Sequence, residues 1–387
     1  MSHPSAQTDR FVHDRLPPPE QLPIFRYDLP ELQLPDQLNL VEELLDKAVS
    51  EKGWGERPML REAQRLWTYR EAAAEVSRMA RVLTEDLGLV PGNRVLLRGG
   101  NSASMALAWL AVVKAGLIAV ATMPLLRAKE LGDIIEKSQP TVALCDARLL
   151  DELLLAQKAQ PVLARVIAFH APDAPDSLEA MARGKPEHVA ACPTAADDVA
   201  LLAFTSGTTG KPKAPVTMHR DVLAMCETWP RHVLKARPED IVIGSPPLAF
   251  TFGLGGLLIF PMWAGASVYF HDRGYTPESM VQTIREVGAT ISYTAPTFYR
   301  QMAPIAQRLG VPSLRLSVSA GEALPDATRQ LWKDATGIEM LDGIGGTEVF
   351  HIYISAQPEN VRRGAVGQVV PGFTARIVDD EGHELPR

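Results

Sequence analysis

Short strands and helices alternate along most of this chain, and this alternation restricts the fold more than any other feature of the sequence. Strands that alternate with helices through short connections form parallel sheets covered by helices. The predicted strands lie at residues 94–97, 117–122, 141–145, 162–169, 199–204, 214–218, 241–245, 289–293, 314–319 and 338–341. The predicted helices lie at residues 102–115, 127–137, 147–157, 220–234, 277–287, 296–309 and 325–336. The sequence therefore predicts an α/β fold with helix-covered β-sheets.

Capping residues support several helix boundaries. Thr68 and Glu71 form a capping-box sequence, which opens a helix that is expected to end before Gly88. Thr276 and Pro277 supply an N-cap residue and a proline at the first helical position. Asn39 is the expected N-cap of the first helix in the chain.

The composition divides the chain into an arm and one large unit. Residues 1–38 are rich in proline, which blocks helix and removes backbone donors, so they are predicted to form an extended N-terminal arm. Residues 39–387 are predicted to form one domain with subdomains at about 39–197 and 198–387. A turn at residues 380–382 within an alternating segment predicts a β-hairpin region near the end.

Charge and cysteine usage argue against several classes of protein. The formal net charge is −7 and there is no basic block, so neither nucleic acid nor a membrane is expected as a main partner. The three cysteines lie far apart, which argues against a disulfide framework or a zinc site and favours a cytoplasmic location. The N-terminus lacks the apolar segment of a secretory signal. The apolar stretch from Met105 to Met123 is interrupted by Lys114 and Gly116, so we interpret it as a buried helix followed by a strand.

A polar loop between the strands at 199–204 and 214–218 carries the strongest chemical signal. It consists of Thr205, Ser206, Gly207, Thr208, Thr209, Gly210, Lys211, Pro212 and Lys213. The glycines let backbone N–H groups approach an anion, the hydroxyl groups add donors, and the lysines add positive charge. These are the groups that a polyphosphate-binding loop needs.

Two other interpretations of this loop are open from the residues alone. The same residue types are common in an ordinary surface hairpin turn. The loop also has some likeness to a P-loop, which requires two glycines with four residues between them and a helix that begins at the lysine. Gly207 and Gly210 are too close for that pattern, and Pro212 directly follows Lys211.

In these nine residues the chain resembles the adenylate-forming superfamily, which contains acyl- and aryl-CoA ligases, nonribosomal adenylation domains and luciferases. The resemblance extends over about residues 40–387. It implies the large N-terminal domain of these enzymes, with two helix-covered β-sheets and a smaller distorted β-barrel region. It also implies that ATP activates a carboxylate, which gives an acyl-AMP and pyrophosphate. Thr205 would then help to bind the metal, and Lys213 would be catalytic.

Two later loops strengthen the resemblance to the superfamily. SAGEALP, after the strand at 314–319, resembles the segment on which adenine lies, and this implies nucleotide contacts for Gly321, Glu322 and Ala323. A glycine there also leaves bare backbone for a planar ring. Alone, such a turn is equally well explained as a plain strand-to-helix connection.

The second of these loops, DGIGGTEVFH, follows the strand at 338–341 and resembles the second nucleotide motif. The resemblance implies that Asp342 and Gly343 belong to the nucleotide site and that Thr347 meets the α-phosphate. Glu348 would bind Mg²⁺, because Mg²⁺ prefers a few carboxylate oxygens together with phosphate and water. Thr347 and Glu348 are therefore expected to act in catalysis.

The same motifs resemble the benzoate– and 2-aminobenzoate–CoA ligase branch, which implies a small aromatic carboxylic acid as substrate. His351 would lie near the ring, able to hydrogen-bond a carboxylate or an ortho substituent. Phe250 is expected to form one wall of a flat pocket, whereas Phe252 is equally compatible with core packing. Further candidates for this pocket are Tyr293, Ala295, Gly345 and Gly346.

The predicted reaction uses ATP and Mg²⁺, and coenzyme A or a carrier-protein thiol would accept the acyl group. The superfamily's C-terminal lid domain, with its catalytic lysine, is not found in these 387 residues, so we expect slow adenylation and little transfer to CoA. A non-catalytic module that binds nucleotide and aryl acid, and an adenylation domain that loads a carrier protein, are the alternatives. Formation of a homodimer is left open.

Overall fold

The predicted alternation of strands and helices is present in the computed structural model, which describes residues 4–22, 24–205, 212–271 and 274–386. The strands are β1 Pro58–Arg61, β2 Leu66–Thr68, β3 Arg94–Arg98, β4 Ile118–Thr122, β5 Val142–Asp146, β6 Arg165–Phe169, β7 Val199–Leu202, β8 Val216–Met218, β9 Ile241–Gly244, β10 Ser267–Tyr269, β11 Ile291–Thr294, β12 Leu316–Ser319, β13 Met340–Leu341, β14 Gly343–Gly345, β15 Ile352–Ser355 and β16 Gln368–Val369. The α/β fold is therefore confirmed.

The helices begin and end close to the predicted capping residues. They are α1 Lys47–Ser50, α2 Tyr69–Arg81, α3 Ala103–Lys114, α4 Ala128–Ser138, α5 Leu150–Ala159, α6 Leu178–Ala182, α7 His219–Trp229, α8 Thr251–Leu254, α9 Phe260–Ala264, α10 Pro277–Val287, α11 Pro296–Leu309 and α12 Asp326–Thr336. π-helical segments adjoin some of them at Glu42–Asp46, Val82–Asp86, Pro230–Leu234 and Gly255–Ile259. The capping box at Thr68 and Glu71 forms as predicted.

Two large sheets account for most of the strands in the described residues. The six-stranded sheet has the order β6-β5-β3-β4-β7-β8, and its strands are parallel except at the β7–β8 pair. The seven-stranded sheet has the order β13-β12-β11-β9-β10-β1-β2 and is parallel from β13 to β1. Every residue of β3 and β5 is buried, as expected when helices cover both faces of a sheet.

The third sheet is small and antiparallel, with the order β14-β15-β16, where a distorted barrel region was expected. The predicted hairpin near the end of the chain is present as an antiparallel bridge between Val378 and Glu384.

The strands β1, β2 and β10 and the helices α8 and α9 were not predicted. The three strands contain only three or four residues each, which is too short for a periodic pattern. The helical region contains Gly253, Gly255 and Gly256, which are poor helix formers. It is helical nevertheless because it is almost completely buried, and packing outweighs intrinsic propensity there.

The two large sheets do not follow the predicted boundary between residues 197 and 198. β7 and β8 lie after that boundary but belong to the six-stranded sheet, whereas β1 and β2 lie before it and belong to the seven-stranded sheet. Strand pairing over long sequence separations decides sheet membership, and composition does not report it. The division into an arm and two subdomains stays a prediction.

The apolar stretch from Met105 to Met123 forms the buried helix and strand that were predicted. Helix α3 is buried along nearly its whole length, and Gly116 adopts a φ of +72° before β4 begins. Lys114 is buried and pairs with Asp46 at 2.7 Å, so its charge is compensated inside the protein. Within the described residues, no helix combines the length and apolar character needed to cross a membrane.

Candidate functional site

Four neighbouring strands of the seven-stranded sheet end together at one edge. Their register aligns Gly244 of β9, Tyr293 of β11, Val318 of β12 and Leu341 of β13 in one row. Beyond this row the chain enters the loops that contain the predicted residues, at 245–250, 295–297, 320–323 and 342–348. Ligands of parallel sheets bind outside the carboxyl ends of the strands. The fold therefore brings four separately predicted segments to a single edge.

The loop after β12 has the backbone shape expected of a surface for a flat ligand. Gly321 has a φ of +92°, a conformation that favours glycine, and a Cβ added there would meet no atom within 4 Å. Glu322 accepts a hydrogen bond of 3.0 Å from the Thr297 hydroxyl, which ties this loop to the start of α11. Ala323 is exposed beside them, so all three predicted residues of this loop are accessible.

Asp342 lies at the end of β13 and is buried, unlike the rest of its loop. Burial raises the pKa of the Asp342 carboxyl, although Arg329 lies 3.8 Å away. Its carbonyl accepts a hydrogen bond of 2.6 Å from the Ser355 hydroxyl. A Cβ at Gly343 would lie 2.4 Å from the Ile352 side chain, so glycine is required for the close packing of β14 on β15. Both residues therefore hold the loop in shape.

Thr347 and Glu348 lie in the short turn that joins β14 to β15. Thr347 is half-buried and Glu348 is exposed, in a 3-10 turn at Thr347–Val349. The turn is held from below, because a Cβ at Gly345 would lie 2.6 Å from the carbonyl oxygen of His351, and Gly346 donates to that carbonyl at 3.3 Å. The predicted phosphate and metal residues thus stand at the tip of a hairpin whose base is closely packed.

Backbone hydrogen bonds between Thr205 and Lys213, which are described on either side of the polar loop, join its two ends. Thr205 donates to the carbonyl of Lys213 at 3.0 Å, and Lys213 donates to the carbonyl of Thr205 at 3.1 Å. Lys137 adds a hydrogen bond of 3.0 Å to the carbonyl of Pro212, and the side chain of Lys213 is exposed. The predicted residues Ser206, Gly207, Thr208, Thr209 and Gly210, together with Lys211, lie outside the described residues.

The aromatic cluster is a group of five rings behind the hairpin, formed by Trp229, Phe252, Phe260, Tyr293 and His351. The His351 ring lies 4.6 Å from Phe260, 5.2 Å from Trp229 and 5.4 Å from Phe252 between ring centroids. Phe252 in turn lies 5.8 Å from Tyr293. Phe252 therefore packs in the core and also borders the predicted pocket residues.

Glycines let the helical segment after α8 approach these rings. A Cβ at Gly255 would lie 2.7 Å from the His351 ring, and one at Gly256 would lie 2.7 Å from the Tyr293 ring. The predicted wall residue Phe250 is 40% exposed at the start of α8, and Ala295 is half-buried at the start of α11.

The protonation of His351 follows from its surroundings. The side chain is 3% exposed, and burial lowers the pKa of the imidazole to about 3, so the ring is neutral at neutral pH. Its Nε2 lies 3.3 Å from the carbonyl of Phe252. Because a carbonyl only accepts, Nε2 must carry the proton, and Nδ1 is left as an acceptor. Nδ1 is buried and has no partner among the described residues.

Two further polar atoms of the aromatic cluster lack partners in the described part of the chain, the Tyr293 hydroxyl and the Trp229 indole nitrogen. Buried polar groups are nearly always hydrogen-bonded, so these atoms could bond to a ligand or to water. Within the described residues, unpaired indole nitrogens also occur at Trp67 and Trp109, outside this cluster. Trp229 and Phe260 were not predicted. Neither lies in a local motif, and only their contacts with residues far along the chain reveal them.

Among the residues that the structure describes, the candidate site offers too few side-chain ligands to enclose a cation completely, and this suits Mg²⁺ bound together with phosphate and water. Glu348 offers one exposed carboxylate, and Mg²⁺ is usually held by one or two carboxylates plus phosphate and water. Within the described residues, a group of three potential ligands occurs elsewhere, at Asp379, Glu381 and His383 in the C-terminal hairpin. Glu348 and Thr205 would therefore depend on phosphate oxygens to complete the metal's coordination.

Comparison with known proteins places this fold in a family. Residues 46–387 match the family of AMP-binding enzymes, and the chain belongs to it. It is 32% identical over 359 residues to a benzoate–CoA ligase of Thauera aromatica, a match that covers 92% of this chain and 68% of that protein. It is 30% identical over 318 residues to an anthranilate–CoA ligase of Pseudomonas aeruginosa, covering 81% of this chain and 58% of that protein.

Solved structures support the same assignment. The anthranilate CoA ligase AuaEII in complex with anthranoyl-AMP superposes with a TM-score of 0.86 at 32% identity, over 92% of this chain and 68% of that one. ATP-bound MatB from Rhodopseudomonas palustris superposes with a TM-score of 0.81 at 29% identity, over 91% of this chain and 68% of that one. The chain thus spans between about three fifths and two thirds of the length of these four relatives.

Proposed function

We propose that this chain binds ATP and a small aromatic carboxylic acid and joins them as an aryl-AMP with release of pyrophosphate. The observation that carries the proposal is the shared edge of β9, β11, β12 and β13. The loops after β12 and β13, called here the nucleotide-type loops, leave from this edge, and Tyr293 of the aromatic cluster lies in its last row. Membership of the AMP-binding family and the similarity to aryl-CoA ligases support the same reaction.

The chemistry requires two anions to meet. The substrate carboxylate must attack the α-phosphorus in line with the departing pyrophosphate, and mutual repulsion and positioning make up much of the barrier. Lys213 and the loop that it closes would offset phosphate charge, and Thr347 would donate to the α-phosphate. Glu348 would hold Mg²⁺, which supplies further neutralisation of charge. No side chain needs to act as a nucleophile.

The state of His351 narrows the class of acid. A neutral ring with only an acceptor free cannot donate to a carboxylate, which is itself acceptor-only. It can accept from an amino or hydroxyl group on the ring of the substrate. We therefore propose an aromatic acid with a hydrogen-bond-donating substituent, such as 2-aminobenzoate or a hydroxybenzoate, in preference to unsubstituted benzoate.

Free coenzyme A is the proposed acceptor in the complete reaction, on the basis of the similarity to a benzoate–CoA ligase and an anthranilate–CoA ligase. A cavity of about 290 Å³ lies at the carboxyl edge of the six-stranded sheet and is lined by Arg98, Arg127 and Arg148 among other residues. All three guanidinium groups already have partners within the protein. Arg98 donates to the backbone carbonyls of Met123, Pro124, Leu126 and Leu149, Arg127 pairs with Glu152, and Arg148 pairs with Asp146. A phosphate group in this cavity would have to share or replace these partners. Glu152 and Asp151 also line the cavity and moderate its charge.

Pyrophosphate exchange measured on these 387 residues tests the proposal directly. The panel contains 2-aminobenzoate, hydroxybenzoates, benzoate and a short fatty acid, each with Mg-ATP. We expect exchange that depends on an aryl acid and is highest with 2-aminobenzoate or a hydroxybenzoate. A thermal shift on addition of aryl acid and ATP without any exchange would instead favour a non-catalytic binding module. The absence of both pyrophosphate exchange and a thermal shift with every aryl acid would refute the proposal.

A further inference from the structure

Asn101 connects the two large sheets next to the proposed acid pocket. It follows β3 of the six-stranded sheet, just before the N-cap residue of α3. Its side-chain nitrogen donates to the carbonyl of Pro246 at 2.9 Å, and its side-chain oxygen accepts from the backbone N–H of Leu248 at 2.8 Å. Pro246 and Leu248 belong to the loop after β9, in the seven-stranded sheet. Only one orientation of the amide satisfies both contacts, because a carbonyl accepts and an N–H donates.

The loop that Asn101 holds has few bonds of its own. Pro246 and Pro247 lack N–H groups, so neither can donate a backbone hydrogen bond. Gly253 packs closely against this turn, where a Cβ would lie 2.1 Å from the carbonyl oxygen of Pro247. Asn101 and the close packing of Gly253 therefore both restrict the position of the two-proline turn.

The position of this turn sets the position of the aromatic cluster. Phe250 donates its backbone N–H to the carbonyl of Pro247 at 3.0 Å and begins α8. Two residues later, the carbonyl of Phe252 accepts from His351 and thereby fixes which nitrogen of that ring is free. The side chains of Asn101 and His351 thus both bond to backbone atoms of the segment from Pro246 to Phe252, which connects them.

We infer that Asn101 is a positioning residue for the aromatic acid, acting through the Pro246–Leu248 turn on Phe252 and His351. The inference rests on the proposed function, because it assumes that the aromatic cluster binds the acid. It assigns no role to Asn101 in binding ATP, since its two bonds go to the turn after β9 and not to the loops after β12 and β13.

Asn101→Ala is the test variant, and Asn93→Ala is its matched control. Asn93 is also half-buried and also makes one donated and one accepted bond, to Asp9 at 2.8 Å and from Val90 at 3.1 Å. It directly precedes β3, so it lies at the amino end of the strand whose carboxyl end leads to Asn101. Both variants lose two hydrogen bonds, and only one of them borders the proposed pocket.

Two measurements separate positioning from general stability. Calorimetry gives the dissociation constants for 2-aminobenzoate and for ATP. We expect Asn101→Ala to bind the acid about tenfold more weakly, with ATP within about twofold of wild type. Hydrogen exchange of the Leu248 amide should be about tenfold faster in Asn101→Ala, because its acceptor is gone. Asn93→Ala should leave both dissociation constants and the Leu248 amide unchanged.

Each contrary outcome would overturn a different part of the argument: the positioning role, the anchoring contact or the proposed function. Unchanged acid affinity in Asn101→Ala, or equal losses for acid and ATP in both variants, would overturn the positioning role. An unchanged Leu248 amide would overturn the anchoring contact itself, even if no aryl acid bound to the wild type. Failure of the wild type to bind any aryl acid would refute the proposed function, and that part of the inference with it. If Asn101→Ala does not fold, Asn101→Asp keeps the acceptor for Leu248 and loses the donor to Pro246. Its acid and ATP affinities are judged by the same criteria, whereas its Leu248 amide is expected to exchange as in wild type, and faster exchange there would overturn the anchoring contact.

Discussion

Replacing His351 by phenylalanine tests how the acid is selected. Phenylalanine keeps a ring of similar size, so the packing against Trp229, Phe252 and Phe260 is largely retained. The change removes the Nδ1 acceptor, which lacks a partner in the described part of the chain, and it removes the Nε2 donor to Phe252. The loss at Phe252 is the same for every acid, so it cancels when two acids are compared.

The expected size of the effect follows from the cost of a buried donor without a partner. In His351→Phe the amino group of 2-aminobenzoate would lose its acceptor, at about 1–3 kcal/mol, whereas benzoate has no such group to leave unpaired. The ratio of the two dissociation constants should therefore shift against 2-aminobenzoate by about 5- to 150-fold. For benzoate itself, we expect little change or a slight gain, because the wild-type pocket leaves Nδ1 unsatisfied.

Isothermal titration of both acids into wild type and His351→Phe measures this ratio. A parallel melting curve for each protein shows whether the aromatic cluster remains intact. Equal weakening of both acids would contradict a hydrogen bond from the substrate to Nδ1 and would leave His351 with a packing role alone. Weakening of benzoate alone would show that the imidazole meets the ring or the carboxylate in some other way.

Two other predictions concern the proposed metal ligand Glu348 and the buried His219. Glu348→Gln should abolish Mg-dependent pyrophosphate exchange while leaving the melting temperature nearly unchanged, because the side chain is exposed, and normal exchange would remove Glu348 from the metal role. His219 is buried, accepts from the Leu40 N–H at 3.0 Å, and has its pKa lowered to about 4 by burial. Below pH 6.5, therefore, His219 becomes protonated in the unfolded chain while it stays mostly neutral in the folded chain, which favours unfolding. Wild type should lose about 2 kcal/mol between pH 7 and pH 5 through this group, and His219→Gln should not. Asp221, whose pKa is raised to about 6 by burial, shifts both proteins in the opposite direction, so equal pH slopes in urea denaturation would contradict the assignment to His219.

Local signals predicted the elements of this fold, and long-range pairing decided their arrangement. The capping box at Thr68 and the helix predicted at residues 296–309 depend on neighbours in sequence, and both were found as predicted. The assignment of β1 and β2 to the second sheet depends on pairing with β10, about two hundred residues later. No periodicity within a strand of three or four residues encodes such a partner.

The same distinction applies to the candidate site. The sequence suggested Glu348 and His351 because both lie in one glycine-rich segment with a specific pattern. It could not suggest which nitrogen of His351 is free, since that depends on the carbonyl of Phe252, 99 residues away in the chain. Asn101 and Trp229 carry no motif, and their significance lies in contacts with Pro246, Leu248 and the aromatic cluster.

The hairpin from Gly343 to Ser355 accounts for the direction in which an acid would enter. Its tip presents Glu348 to solvent, and its returning strand begins beside His351, which is buried and neutral. A carboxylate placed against the Nδ1 acceptor would meet a lone pair and lose its hydration, so that orientation is unfavourable. The ring must then lie inward, with its substituent at His351, and the carboxylate must face the tip, where the nucleotide-type loops end. In the proposed complex, a buried imidazole that cannot donate to the substrate would thus direct the anionic group of the acid towards the site proposed for the α-phosphate.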